Sequence, residues 1–232
     1  MNLSHRSKLS YYKQIYQFES MIAQLAHPSW LEGIVAPEKF ASPPENLCAF
    51  QSQVLLQGAS HLDGKNLTEH SVLLFIASLP KAKLNRFLKY ALIAFLKNDK
   101  SLLINGLKLK KLMAFFSSDE MDFLIREKEV KIKAISQFSL CNEKDITEEY
   151  LDELSFAILK SFFNKKTSPI LERLEIRFPK EFSEIKNSKF NFHIDINTNI
   201  STLSLITQAL FPEIYSVFES EIIMSAQELQ LH

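Results

Sequence analysis

The chain has 232 residues and no net charge, 27 Lys and Arg against 27 Asp and Glu, so bulk attraction to nucleic acid or anionic lipid is not its default behaviour. Its 4 glycines are too few for a fold built on tight hairpins, phosphate cradles or dinucleotide fingerprints, and point to helices. Cys48 and Cys141 have no CxxC spacing, which excludes a disulfide framework and suits a reducing cytoplasm.

The N-terminus is basic and polar, with no apolar run of signal-peptide length behind it. An amphipathic helix is predicted over 8–26, with Tyr12, Ile15, Tyr16, Phe18, Ile22 and Leu25 on one broad face and Pro28 as its stop. From 26 to 60 the chain reads as an extended connector carrying Pro28, Pro37, Pro43 and Pro44. Trp30, Phe40 and Phe50 would pin it, and a short helix over 46–57 would interrupt it.

Asn66 or Thr68 caps the next helix, which runs to Leu79, and Pro80 suits the first turn of its successor. That successor, 81–97, follows the i, i+3, i+4, i+7 pattern through Leu84, Phe87, Leu88, Ala91, Leu92, Phe95 and Leu96. Neither Val72–Leu79 nor Ala91–Leu96 approaches the length of a membrane span. Asn105-Gly106 marks a break before an apolar helix over 107–116. Ser117 with Glu120 reads as a capping box opening a helix of 118–138, and Asp145 with Glu148 as the start of one over 146–163.

The period then changes. Leu174, Ile176 and Phe178 alternate with polar residues, as do Phe190, Phe192, Ile194 and Ile196. Within 172–197 the choice lies between a small two-stranded antiparallel element and irregular chain. Helices over 202–210 and 213–227, jointed at Pro212, close the chain. The fold class is mainly α, a single helical domain over 1–232.

Charge is segregated although it cancels. Nine basic residues lie between Lys81 and Lys111 against one acid, Asp99. Residues 143–153 carry six acids against Lys144. Such patterning suits either internal pairing or two interaction faces of opposite sign.

No catalytic motif is present, and no cofactor or metal is expected. His193 and Asp195 share a strand face but lack further ligands. Glu149 and Glu153 lie four apart on a helix with nothing to bury them. Phe87 and Phe95 sit with the leucines rather than among the lysines, which disfavours nucleic-acid stacking.

The order of several short segments resembles the SctK (YscK-like) family, accessory proteins of the type III secretion sorting platform. They are Ala26-His27-Pro28-Ser29-Trp30-Leu31, Leu79-Pro80 with Leu84, Ile104-Asn105-Gly106 before Leu112, Pro169 to Pro179, and Leu210-Phe211-Pro212. The chain departs from the family in having Ala91-Leu92 where members tend to carry glycine. The resemblance implies a helical, non-enzymatic adaptor in the bacterial cytoplasm, peripheral to the inner membrane and without insertion into it. It would link an SctD-like ring protein to an SctQ-like pod subunit, and through the pod to a stator and an ATPase.

Candidate partner-binding residues are His27, Pro28, Trp30, Lys81, Lys83, Arg86, Lys89, Arg173 and Arg177. Trp30 is either a hot spot or a packed tryptophan pinning the connector. Arg173 and Arg177 are either partner contacts or local salt bridges to Glu172 and Glu175. The alternative function is a helical bacterial effector binding a partner or an anionic surface through the basic region 81–111.

Overall fold

A computed structural model of the chain describes residues 5–34, 45–57, 59, 62, 71–99, 102, 105–127, 130–134, 138–164, 167–184, 190, 192–217 and 219. The fold is mainly helical. Its elements in order are α1 (His5–Ser20), α2 (Pro28–Leu31), α3 (Glu45–Leu55), α4 (Ser71–Ser78), α5 (Lys81–Leu96) and α6 (Gly106–Phe115). These are followed by α7 (Ser118–Arg126), α8 (Glu148–Lys160), α9 (Ser168–Glu175), α10 (Lys180–Ser183) and α11 (Ile196–Leu210), with a further helical segment at 212–217. The contacts divide the chain into two compact units. One comprises Met1–Leu84, Phe163–Glu184 and Phe211–His232, the other Asn85–Phe162 and Ile185–Leu210.

In the first unit α1 packs on α4, α9 on α4, and α3 on the 3-10 turn Ile22–Gln24 that follows α1. Phe18, Ile22, Phe75 and Ile76 are fully enclosed. The Phe75 ring stacks on Tyr11 and meets Tyr215 edge-on. Ser52, buried inside this core, has both its donor and its acceptor engaged. The Ser52 hydroxyl donates to Cys48 O at 2.7 Å and accepts from Ala23 N at 3.1 Å. Gly33, at φ 82°, occupies the left-handed position just past α2 that lets the short helix stop.

In the second unit the inner face of α5 meets Phe138 and Phe192, whose rings lie 4.7 Å and 4.6 Å from Phe95. The Asn199 side chain, 1% exposed, donates to Lys133 O at 2.9 Å and accepts from Lys133 N at 2.7 Å. The Leu140 peptide is held at both ends, its N–H by Asp99 Oδ2 at 2.8 Å and its carbonyl by Lys108 Nζ at 2.7 Å. The acid inside the basic stretch 81–111 is therefore buried, engaged with backbone and withdrawn from the surface.

The Ser117–Glu120 capping box is present, with Ser117 N donating to Glu120 Oε2 at 2.7 Å and Glu120 N to Ser117 Oγ at 3.4 Å. The carboxylate half is the shorter bond. Glu120→Ala should cost more than Ser117→Ala, about 1–2 against about 0.5–1 kcal/mol, read as faster amide exchange along α7.

Several expectations are corrected. Leu174, Ile176 and Phe178 form no strand: Leu174 belongs to α9, and 176–178 are the turn that ends it, with Arg177 N bonded to Leu174 O at 3.0 Å. The apparent alternation arose because Arg177, counted as an outward polar residue, is buried with its neighbours. No strand is present among the described residues. Ile194 instead makes an isolated antiparallel bridge to Ala134, and Asn199 supplies the adjacent pairing to Lys133.

The helix expected over 118–138 stops at Arg126, where Lys97 Nζ takes the carbonyls of Glu127 and Val130 at 2.6 and 3.0 Å, and Ile132 N pairs with Ala94 O at 3.1 Å. The cap of α8 is Thr147, accepting from Tyr150 N at 3.1 Å, because Asp145 closes a preceding 3-10 turn. The first helix ends at Ser20, and α11 begins at Ile196, earlier than expected. The connector is helical at Pro28–Leu31 as well as at Glu45–Leu55. The predicted roles of Pro37, Phe40, Pro43, Pro44, Asn66 and Thr68, and the expected closing helix beyond 219, fall outside the described residues.

Candidate interaction surface

Two segments 148 residues apart in sequence meet at α2. His27 is the N-cap of this helix, and Pro28 at its first position carries no N–H to leave unsatisfied. His27 Nδ1 accepts from Ser29 N at 3.3 Å and lies 2.9 Å from Ser29 Oγ. These contacts require a lone pair on Nδ1 and place the ring proton on Nε2. Partial burial lowers the His27 pKa and Lys81 lowers it further, against opposition from Glu181 and Glu32.

The same residues are tied to the end of α9. His27 N donates to Ile176 O at 2.9 Å, and the Trp30 indole Nε1 donates to Phe178 O at 2.9 Å. Ser29 Oγ accepts from Lys180 N at 3.0 Å, and Lys180 Nζ stands 5.9 Å from the Trp30 ring centroid. Phe178 stacks on Phe182 with 6.2 Å between centroids. Trp30 is half-buried and Pro28 exposed, so the patch presents an indole, a proline ring and an ammonium outward.

The expected site residues divide between the units. His27, Pro28, Trp30, Lys81, Lys83, Arg173 and Arg177 belong to the first, and Arg86 and Lys89 to the second. Lys81 is exposed, and Lys83 stands 5.7 Å from the Phe211 ring centroid. Arg86 lies over Tyr90 at 5.8 Å. Lys89 sits over Phe115 at 4.6 Å and donates to that residue's carbonyl at 3.3 Å. Lys83, Arg86 and Lys89 of α5 thus rest on π faces, contacts that leave their charge in place.

Arg173 and Arg177 are buried. Arg173 Nη1 donates to Pro169 O at 2.9 Å; burial lowers its pKa, while Glu19 and Glu172 raise it. Arg173 lines a cavity of about 550 Å³ together with Tyr16, Glu19, Ser52, Gln53 and Leu56. Arg177 donates to Ala77 O in the last turn of α4 and to Leu79 O just past it. Burial pushes its pKa down to about 10, which leaves it charged at neutral pH. Its Nε has no hydrogen-bond partner among the described residues.

Lys180 and Ser29 were not singled out from the sequence. Ser29 lies inside the quoted His-Pro segment, but a lysine after Pro179 carries no signal of its own. His193 is exposed and Asp195 half-exposed, and no cluster of three metal-binding side chains occurs among the described residues. No described helix is long and apolar enough to cross a membrane. No family model matches the chain, nor does any curated protein or solved structure.

Proposed function

We propose that this chain is a non-enzymatic adaptor of the type III secretion sorting platform, joining an SctD-like inner-membrane ring protein to an SctQ-like pod subunit. Through the pod it would reach the stator and ATPase and so support protein export from the bacterial cytoplasm. The observation that carries the reading is that residues 26–31 and 169–179, both quoted for the SctK resemblance, are bonded to each other through His27–Ile176 and Trp30–Phe178. Segments joined in this way act as one surface.

The surface has the chemistry of a docking patch. A partly exposed tryptophan backed by a hydrogen bond is a rigid anchor with little entropy left to lose. Lys81 and Lys180 beside it would supply orientation to an acidic partner.

Capture of the tagged chain from its native bacterium at low salt should recover the pod subunit, stator and ATPase together. Trp30→Ala should reduce recovery about thirty-fold or more, the loss typical of a hot spot. Because Trp30 also holds Phe178, Lys81→Glu serves as the second variant: it should weaken capture and flatten its salt dependence without changing the circular dichroism spectrum. Absence of those components from the eluate, while they are expressed in the cell, would refute the reading.

A further inference from the structure

We propose that His27 is a proton-sensitive latch: its neutral ring holds α2 against the end of α9, and protonation of the ring releases it. The latch lies within the α2 surface but does not depend on the adaptor reading.

The direction of each hydrogen bond carries the inference. A peptide N–H can only donate, so Lys180 N fixes Ser29 Oγ as its acceptor at 3.0 Å. The Ser29 hydroxyl proton is then left for His27 Nδ1, 2.9 Å away. Ser29 N, also a donor only, is directed at the same ring nitrogen at 3.3 Å. A chain of donors running from α10 through Ser29 thus ends on the Nδ1 lone pair of one imidazole. A proton on Nδ1 would set N–H against the Ser29 N–H and would reverse the bond to the hydroxyl. The N-cap of α2 is lost with that lone pair. With four residues, α2 has no further turn to absorb the loss.

The surroundings oppose the proton. Burial lowers the His27 pKa most and the Lys81 cation, at the start of α5, lowers it further. Glu181 in α10 and Glu32 just past α2 act the other way without restoring the ordinary value of 6.5. Exposed Lys180, whose Nζ stands over Trp30, is a second cation on the same patch. His27 itself is only half-buried. The latched ring therefore takes up a proton less readily than a released one at 6.5, and falling pH favours release. What the latch contributes is complete above 6.5 and is lost as pH falls through that value toward the lower pKa of the latched ring. Acid would thereby disassemble the surface on which Trp30 is presented.

Trp30 is the single tryptophan of the chain and lies in α2, so its fluorescence reports the latch directly. The test is emission of the full chain at low ionic strength from about pH 7.5 to about pH 4.5. Loss of the indole bond to Phe178 O should move the emission to longer wavelength, with a midpoint below 6.5. Far-ultraviolet circular dichroism should stay nearly constant through that transition. H27N supplies a cap of the preferred kind that takes up no proton, and should hold the neutral-pH emission throughout. K81Q removes a repelling cation and should raise the midpoint.

Constant emission over the range, or the same shift in H27N, would overturn the proposal. So would a K81Q midpoint no higher than that of the original chain, or a shift that coincides with loss of the helical signal.

Discussion

Arg177→Met should destabilise the protein by about 2–5 kcal/mol in urea unfolding, far more than an ordinary arginine substitution. The reason lies in the carbonyls at the end of α4. A helix leaves its last C=O groups without intrahelical donors, and each must find one elsewhere when buried. Here Phe75 O takes the Ser78 hydroxyl at 2.9 Å, Ile76 O takes Leu79 N at 3.2 Å, and Ala77 O and Leu79 O take the Arg177 fork. Ala77 and Leu79 are fully buried, so water has no evident route to replace the lost donors.

The cation also faces the negative end of the helix dipole, which offsets part of its desolvation cost and explains why it is tolerated without a carboxylate against it among the described residues. Arg177→Lys keeps the charge but not the fork, and should recover about half of the loss. A loss under about 1 kcal/mol for the methionine variant would mean that both carbonyls find other donors.

Phe95→Ala should be the most damaging single change in the second unit, costing about 3–5 kcal/mol. Its ring is fully buried between Phe138 and Phe192, with centroids 4.7 and 4.6 Å away. Alanine would remove both aromatic contacts and leave a void in a site where segments from three parts of the chain converge. Phe95→Leu keeps most of the volume and should cost no more than about 1.5 kcal/mol. Urea unfolding gives the free energies, and near-ultraviolet circular dichroism reports the lost ring asymmetry. If the alanine variant costs no more than the leucine one, the three rings are not the keystone of this core.

The helices were legible where local chemistry decided them. Lys81–Leu96 matches the predicted 81–97 because its apolar stripe is regular and long, and the Ser117–Glu120 box fixes the start of α7 from four residues. Two of the failures share a cause: a basic side chain spent on backbone carbonyls elsewhere in the chain. Lys97 ends α7 by taking carbonyls from beyond it, an event 30 residues away that nothing within 118–138 announces. Arg177 gives the end of α9 the false rhythm of a strand because its guanidinium serves α4, 98 residues away in the case of Leu79.

The candidate surface was legible in its residues but not in its assembly. His27, Pro28 and Trp30 stood out as an unusual cluster, and 169–179 as a separate segment. That the indole N–H would find Phe178 O is a tertiary fact without a local signature. The basic stretch was read correctly as one-sided in sequence, but only the structure shows that its acid is buried and that Lys108 faces inward.

From Ala91 to Leu96 six consecutive residues of α5 are wholly inaccessible, although a helix normally turns at least one of any four neighbours to solvent. Such a block has no neutral position through which mutational drift can pass. Every exchange there alters volume inside a packed interior, so the tolerated alphabet shrinks to near-isosteric aliphatic swaps. In this stretch a sequence lineage would change slowly and in compensating pairs, and relatives of the chain would be sought there rather than in its polar surface.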